Sequence, residues 1–297
     1  MHVETLRTFC DLVETGSFSG AAKRNRVTQS AVSQQLQKLE QRYGCKLLER
    51  APRAIAKPTE AGRTLYVGLL PLLEGLNTLE RSLREPAGTI AGSVRVATVY
   101  SVGLHTLPRP MQKFLRAHPQ VGLKLEYLRT DRVYDACLDG EADLGIVALP
   151  SKRPQLQIVP LGQDELVIAL PPDHALVRKR ALSLRVLEGL PFIAFERDIP
   201  TRKLIDRELR RHGVTLSYAM EFDNVETIKR SVEAGLGVSI LPLPAIANEV
   251  HFGTLRARRF QEGPLHRPLG LLYRRNHALG NAARAFLALL TRELRSA

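Results

Sequence analysis

Residues 17–43 leave little freedom in how they fold. Ala21 and Ala22 are small enough for a second helix to cross close by, and Thr28 is a good N-cap for the segment that follows. There Val32, Leu36, Leu39 and Tyr43 recur every three or four residues, the spacing of one buried helical stripe. The opposite face carries Ser30, Ser33, Gln34, Gln37 and Gln41, with Gln29 in the first turn. A face that only keeps a helix soluble is usually rich in Glu and Lys. This one is rich in amides and hydroxyls, the groups that pair with base edges in a DNA groove. The pattern predicts short helices near 19–25 and 29–43 joined by a tight turn, the second closed by Gly44 in a left-handed conformation.

Charge supports the same reading. The chain carries a formal +13. From Lys23 to Lys57, nine basic residues face only Glu40 and Glu49. A basic run is commonly just a solvated face. Beside a polar helix it fits a footprint on phosphates. A first helix is expected near 3–14, with Leu6, Phe9, Leu12 and Val13 inward. Leu47 and Leu48 open a short strand, and Arg50 to Lys57, with Pro52 in the turn, makes a two-stranded wing. The wing's arginines are placed for backbone or minor-groove contact.

These residues carry a resemblance. Leu6, Phe9, Val13, Gly16, Ser17, Phe18, Ala21, Ala22, Val27, Gln29, Ala31, Val32, Ser33, Leu36, Leu39, Glu40, Gly44, Leu47, Arg50, Thr59, Ala61 and Gly62 match the N-terminal pattern of the LysR-type transcriptional regulators. Asn25 and Leu48 depart from it, standing where that family usually has Leu and Phe; both read as packing changes. The rest of the chain matches more loosely, by pattern and length. Together the resemblance and the polar face nominate Ser17, Thr28, Gln29, Ser30, Ser33, Gln34, Gln37 and Lys38, with Arg50 and Arg53 of the wing, for contact with double-stranded promoter DNA. The resemblance also implies tetramers, two sites near one promoter, and DNA bending that changes when an effector binds. RNA polymerase is a further expected partner.

From Thr59 a long helix is expected. Leu65, Leu69, Leu72, Leu76, Leu79 and Leu83 are spaced 4, 3, 4, 3 and 4, a heptad seam that suits homodimerisation. Burial within one globular domain would leave the same pattern. Pro71 removes a helical hydrogen bond, so a kink or irregularity is expected there, and Gly68 and Gly75 weaken the helix further. The stretch 85–89 ends the helix.

Beyond it, apolar strands alternate with helices, which argues an α/β unit with a mostly parallel sheet. Strands are expected at 94–99, 123–128, 144–149, 166–170, 192–195, 218–222, 238–241 and 269–273. Helices are expected at 103–117, 132–139, 200–212, 224–234 and near 278–294. The fold expected is α/β with an N-terminal winged helix-turn-helix of all-α type, a linker helix, and a two-lobed, periplasmic-binding-protein-like effector domain. The boundaries are 1–58, 59–86 and 90–297, with lobe I at about 90–162 and 267–297 and lobe II at about 163–266.

Ligands of open α/β sheets sit beyond the carboxyl ends of the strands. That rule selects Tyr100, Ser101, Val102, Arg129, Thr130, Pro150, Pro200, Thr201, Arg202 and Asn224 as candidate effector-binding residues. Two of these loops lead into helix N-termini, which favour anions. The small-molecule co-inducer is therefore expected to be a small anion of unknown identity. Plain structural roles compete at several positions. Ser101 and Thr201 can cap helices, Asp223 with Glu226 has capping-box spacing, and Arg202 can pair with Asp206.

Other classes fit less well. A solute-binding receptor without promoter specificity would explain the α/β part but not the basic N-terminal unit. An enzyme would need a site, and no HExxH, Walker loop or GxGxxG is present. Gly16-Ser17-Phe18-Ser19-Gly20 puts Phe at the centre of a would-be nucleophile elbow. The three cysteines, Cys10, Cys45 and Cys137, form no metal spacing and no disulfide framework, so no cofactor is expected. Only Cys137 lies in the α/β part, where a thiol sensor would want two. No apolar run reaches the ~18 residues that span a bilayer. Residues 1–14 hold three acids in an amphipathic helix and do not read as a signal peptide, so the cytoplasm is the expected location and no membrane partner is expected.

Overall fold

The computed structural model describes residues 2–49, 57–84, 90–275 and 279–295. The chain divides into two compact units, Met1–Glu85 and Pro86–Ala297.

In the first unit α1 (Val3–Thr15), α2 (Phe18–Asn25) and α3 (Gln29–Tyr43) pack round Phe9, Leu12, Ala21, Ala22, Val32, Leu36 and Leu39. The caps follow the local chemistry. Ser17 Oγ accepts from Gly20 N–H at 3.2 Å and Thr28 Oγ1 from Ala31 N–H at 3.2 Å. Gly16, Arg26 and Gly44 close the three helices in the left-handed region. Asn25 donates to Asp11 Oδ2 at 2.8 Å and to Ala21 O at 2.9 Å, so a polar clasp joins α1 to α2. The buried Glu40 carboxylate accepts from Leu47 N–H at 2.9 Å and Lys46 Nζ at 2.8 Å, tying α3 to β1 (Leu48–Glu49), which pairs antiparallel with β2 (Lys57–Pro58). Tyr43, expected on the buried stripe, is instead exposed, because the packed face ends at Leu39 and Glu40. Arg50 and Arg53, expected to meet DNA from the wing, lie outside the described residues.

Thr59 caps α4 (Glu60–Arg84), accepting from Gly62 N–H at 3.0 Å. A Cβ on Gly62 would lie 2.0 Å from Leu47 O, so only glycine lets α4 pass this close to β1. The helix runs from Glu60 to Arg84 with Pro71 inside it. The leucine seam divides. Leu69 is buried against the three-helix core with Leu65 beside it, whereas Leu72 and Leu79 are 68% and 56% exposed.

The second unit is built on an eight-stranded mixed sheet, with a separate two-stranded parallel sheet (191–195 beside 217–222). β3 (Gly92–Thr98) pairs parallel with β4 (Val121–Tyr127) and β5 (Leu144–Ala148). Between them lie α5 (Tyr100–Gly103), α6 (Pro108–Ala117) and α7 (Thr130–Asp139). A single helix over 103–117 was expected. The helix begins only at Pro108, which opens α6, and residues 104–107 form a turn after α5. The long β6 (Leu156–Leu170) then runs from the first lobe into the second. There the chain forms β7 (Ala181–Leu182), β8 (Pro191–Phe195), α8 (Pro200–Arg211), β9 (Ser217–Phe222), α9 (Val225–Glu233), β10 (Ser239–Pro242), α10 (Ala247–Phe252) and β11 (Arg256–Phe260). β12 (Leu265–Arg274) returns antiparallel along β6 to the first lobe, where α11 (Asn281–Arg295) packs.

The sheet is less parallel than expected: β5–β12, β6–β12, β6–β10 and β6–β11 are all antiparallel. The two lobes have separate cores, one centred on Phe114, Ile146 and Phe286, the other on Phe192, Ile228 and Ile240. Strands β6 and β12 are common to both. α9 is capped by Asn224, whose Oδ1 accepts from Thr227 N–H at 3.0 Å, and not by the Asp223–Glu226 box. Glu226 instead meets His105 Nε2 at 2.7 Å across the lobes.

Candidate functional site: a polar recognition helix and an interlobe cleft

On α3 the side chains of Gln29, Ser30, Ser33, Gln34, Gln37 and Lys38 are all exposed. They fall at two adjacent positions per turn, so one face of the helix presents them. Among the described residues Gln29, Ser33, Gln34, Gln37 and Lys38 have no side-chain hydrogen bond or ion pair with protein. Phe18, Gln29, Ser30 and Ser33 line a shallow depression at its N-terminal end. Ser17 and Thr28 work as caps, and Thr28 Oγ1 also lies 2.9 Å from Ser30 Oγ. This surface matches what a major groove needs: uncommitted donors and acceptors on a rigid helix.

In the second unit a cavity of about 300 Å³ opens between the lobes. Its first-lobe wall is formed by Tyr100 and Ser101 on α5 and by Arg129, Thr130 and Asp131 where β4 leads into α7, with Tyr134, Ser151 and Arg153 beside them. Phe195, Asp198, Ile199, Pro200, Thr201, Asp223 and Asn224 form the second-lobe wall. Seven of the ten residues expected from strand ends therefore line it: Tyr100, Ser101, Arg129, Thr130, Pro200, Thr201 and Asn224. The other three do not. Val102 is buried in the first-lobe core, Pro150 packs over Gly270, and Arg202 turns back into the second lobe. The Arg202 guanidinium donates to Phe195 O at 2.7 Å, Asp206 Oδ1 at 2.8 Å and Glu221 Oε1 at 2.9 Å, and stacks on Tyr218. Burial opposes its charge, but Glu221 and Asp206 outweigh that and hold its pKa above the ordinary value. Its Nε and Nη1 donors are thus committed within its own lobe.

Ser101 and Thr201 are not caps; Val99 and Ile199 occupy those positions and make no side-chain cap bond. Both hydroxyls accept from Arg267, at 3.1 and 3.2 Å. Arg267 is a cavity residue that strand-end reasoning missed. It is fully enclosed on β12 and donates to Asp164 Oδ2 through Nε at 3.0 Å and Nη2 at 2.7 Å. Burial pulls its pKa down, and the Asp164 carboxylate opposes that pull. The signal was in the sequence: Leu265, Arg267 and Leu269 share the inward face of a strand, and a charge there needs a buried partner.

At the mouth, Arg129 Nη1 donates to Glu196 Oε2 at 2.8 Å and Nη2 to Asp198 Oδ2 at 2.6 Å, with Asp223 3.7 Å away. Glu196 and Asp198 raise the arginine's pKa, and Arg129 in turn holds the Asp198 carboxyl below its usual range. The cavity is thus bounded by an interlobe ion cluster at one end and a buried arginine with two hydroxyls at the other.

A rigid helix offering unpaired amides, joined to a two-lobed α/β domain with a small-molecule cavity, defines a ligand-responsive DNA-binding regulator. Comparison with known proteins agrees. The bacterial regulatory helix-turn-helix profile of the lysR family matches residues 3–63, and the LysR substrate binding domain matches residues 87–295. The chain belongs to the LysR family of DNA-binding transcriptional regulators, with an effector-binding domain. It is 30% identical to a RuBisCO operon transcriptional regulator of Allochromatium vinosum over 96% of this chain and 95% of that one. It is 32% identical to the uncharacterized HTH-type transcriptional regulator YeiE of Escherichia coli K12 over 97% of each. In fold it is similar to full-length CbnR solved with its target DNA, with a TM-score of 0.70 at 21% identity over 100% of this chain and 99% of that one. Among the described residues no helix is long and apolar enough to cross a membrane.

Proposed function

We propose that α3 reads base edges in the major groove of promoter DNA, and that a small anionic co-inducer bound in the interlobe cleft modulates that activity. The observation that carries the reading is the face of Gln29, Ser33, Gln34 and Gln37, whose amides and hydroxyl have no protein partner among the described residues. Ser17 and Thr28 set the turn that aims this face, Ser30 and Lys38 flank it, and Arg50 and Arg53 of the wing hold phosphates. A homodimer forms along α4 on the leucine seam, which leaves Leu72 and Leu79 exposed. Two such dimers form a tetramer, and RNA polymerase is a further partner. The functional segments are 1–58, 59–86 and 90–297, with the lobes at about 90–162 with 267–297 and at 163–266. The protein works in the cytoplasm, as a regulator and not an enzyme.

Gln29→Ala and Arg53→Ala test the division of labour. Gln29→Ala should lose about 1–3 kcal/mol of preference at particular bases while keeping its affinity for random DNA. Arg53→Ala should weaken all sequences alike and flatten the salt dependence. Equal losses on specific and random DNA for Gln29→Ala would refute base reading by α3.

A further inference from the structure

The fork of Arg267 has a consequence for what the cleft accepts. We infer that Arg267 is a positioning residue that fixes Ser101 and Thr201 as hydrogen-bond donors, so the cleft selects a ligand group bearing only acceptor oxygens, held by both lobes at once. The inference rests on the cleft being the effector site.

A guanidinium has five N–H donors and no acceptor. Ser101 Oγ and Thr201 Oγ1 therefore accept from Nη2 and Nη1, and neither hydroxyl hydrogen can point back at Arg267. Neither hydroxyl donates to a protein acceptor among the described residues, and both line the cavity. Their hydrogens are left for a ligand. A ligand N–H would have to approach beside a cation and would leave the buried O–H without an acceptor, which is costly.

Asp164 keeps this arrangement in place. It is Arg267's register partner in the β6–β12 ladder, the two strands that both lobes share. The Asp164–Arg267 pair is neutral as a unit, so selection acts through hydrogen-bond polarity more than net charge. Ser101 sits on α5 of the first lobe and Thr201 on α8 of the second. A carboxylate, phosphate or sulfonate placed between them bridges the lobes with its own oxygens.

The test is calorimetry on the full chain at fixed ionic strength with acetate and acetamidinium, isosteric ions of opposite hydrogen-bond polarity. Wild type should bind acetate saturably and at least about tenfold more tightly than acetamidinium. Ser101→Ala and Thr201→Val should each weaken acetate. The double variant Asp164→Leu/Arg267→Met removes the buried pair together, leaving no lone charge. It frees both hydroxyls to turn, and the preference should fall to within about threefold. Arg267→Lys serves if the double variant does not fold: it keeps the charge but cannot span both hydroxyls and Asp164, so the preference should drop in part.

Absence of saturable acetate binding to wild type, or tighter acetamidinium binding, overturns the inference. If acetate binding survives both hydroxyl substitutions, the cleft reading fails with it. If those substitutions abolish binding but the preference is unchanged in the folded pair variant (or in Arg267→Lys where that is the one that folds), the cleft reading stands and the role of Arg267 is overturned.

Discussion

Glu40 gives the sharpest prediction about the DNA-binding unit. Its carboxylate is buried between α3 and β1 and satisfies the N–H of Leu47, itself 1% exposed. Glu40→Leu leaves that N–H without a partner, at a cost of about 1–3 kcal/mol. The Lys46 side of the interaction is largely solvated, so losing it adds less than about 1 kcal/mol. The extra apolar burial of Leu offsets part of this, and a net loss of about 2 kcal/mol is expected. Glu40→Gln keeps an acceptor for Leu47 but not the charge, and should lose about 1 kcal/mol. The two variants also differ from wild type in pH dependence. Burial opposes the charged form of Glu40, but Lys46 and the Leu47 N–H outweigh it and hold the carboxyl below its ordinary 4.5. A carboxyl lowered in the folded state stabilises fully above its unfolded value and loses that stabilisation as pH falls through the folded one. The gap between wild type and Glu40→Gln should therefore be full at neutral pH and shrink as pH is taken below 4.5. Hydrogen exchange of the α3 amides in the full chain reads the opening free energy of this unit by itself. A Glu40→Leu loss below about 0.5 kcal/mol, or a gap to Gln that does not narrow in acid, would refute the reasoning.

Three further predictions follow the same logic. Gly62→Ala places a Cβ 2.0 Å from Leu47 O, so α4 must shift away from β1; faster hydrogen exchange across 57–69 should report it, and unchanged exchange would contradict the close approach. Leu72→Gln with Leu79→Gln should leave each chain folded but lower its mass in sedimentation toward a monomer, whereas an unchanged assembly would place the interface elsewhere. Arg129→Gln removes the cation shared by Glu196, Asp198 and Asp223; exchange at 196–201 should rise, with a stability change of about 1 kcal/mol or less, since the cluster is partly solvated.

The helix-turn-helix was legible because its signals are local: a 3.6-residue stripe, the Thr28 cap that opens α3 and the Gly44 that ends it. Tyr43 was misplaced because periodicity cannot say where the partner surface stops. Residues 156–165 of β6 were not expected as strand; Pro160 and Gly162, both disfavoured within strands, break the pattern there. Gly162 is required there by tertiary packing, as a Cβ would lie 2.3 Å from Leu294 O on α11. In the cleft, strand ends located the lining residues Tyr100, Ser101, Arg129 and Thr201, since that rule depends only on topology. It does not tell an outward arginine from an inward one. Arg202 was nominated and lies buried on its own lobe's carbonyl, while Arg267, inside a strand, was overlooked.

The central claim is that α3 gives this chain sequence-specific contact with DNA. Genome-wide footprinting of the purified protein at physiological salt tests it most directly, with Gln29→Ala run beside wild type. Discrete sites with two-fold symmetry are expected, with half-sites spaced by the ~10-base-pair helical repeat or its multiples. These footprints should weaken selectively in Gln29→Ala. Diffuse, salt-sensitive binding that Gln29→Ala leaves unchanged would contradict that claim.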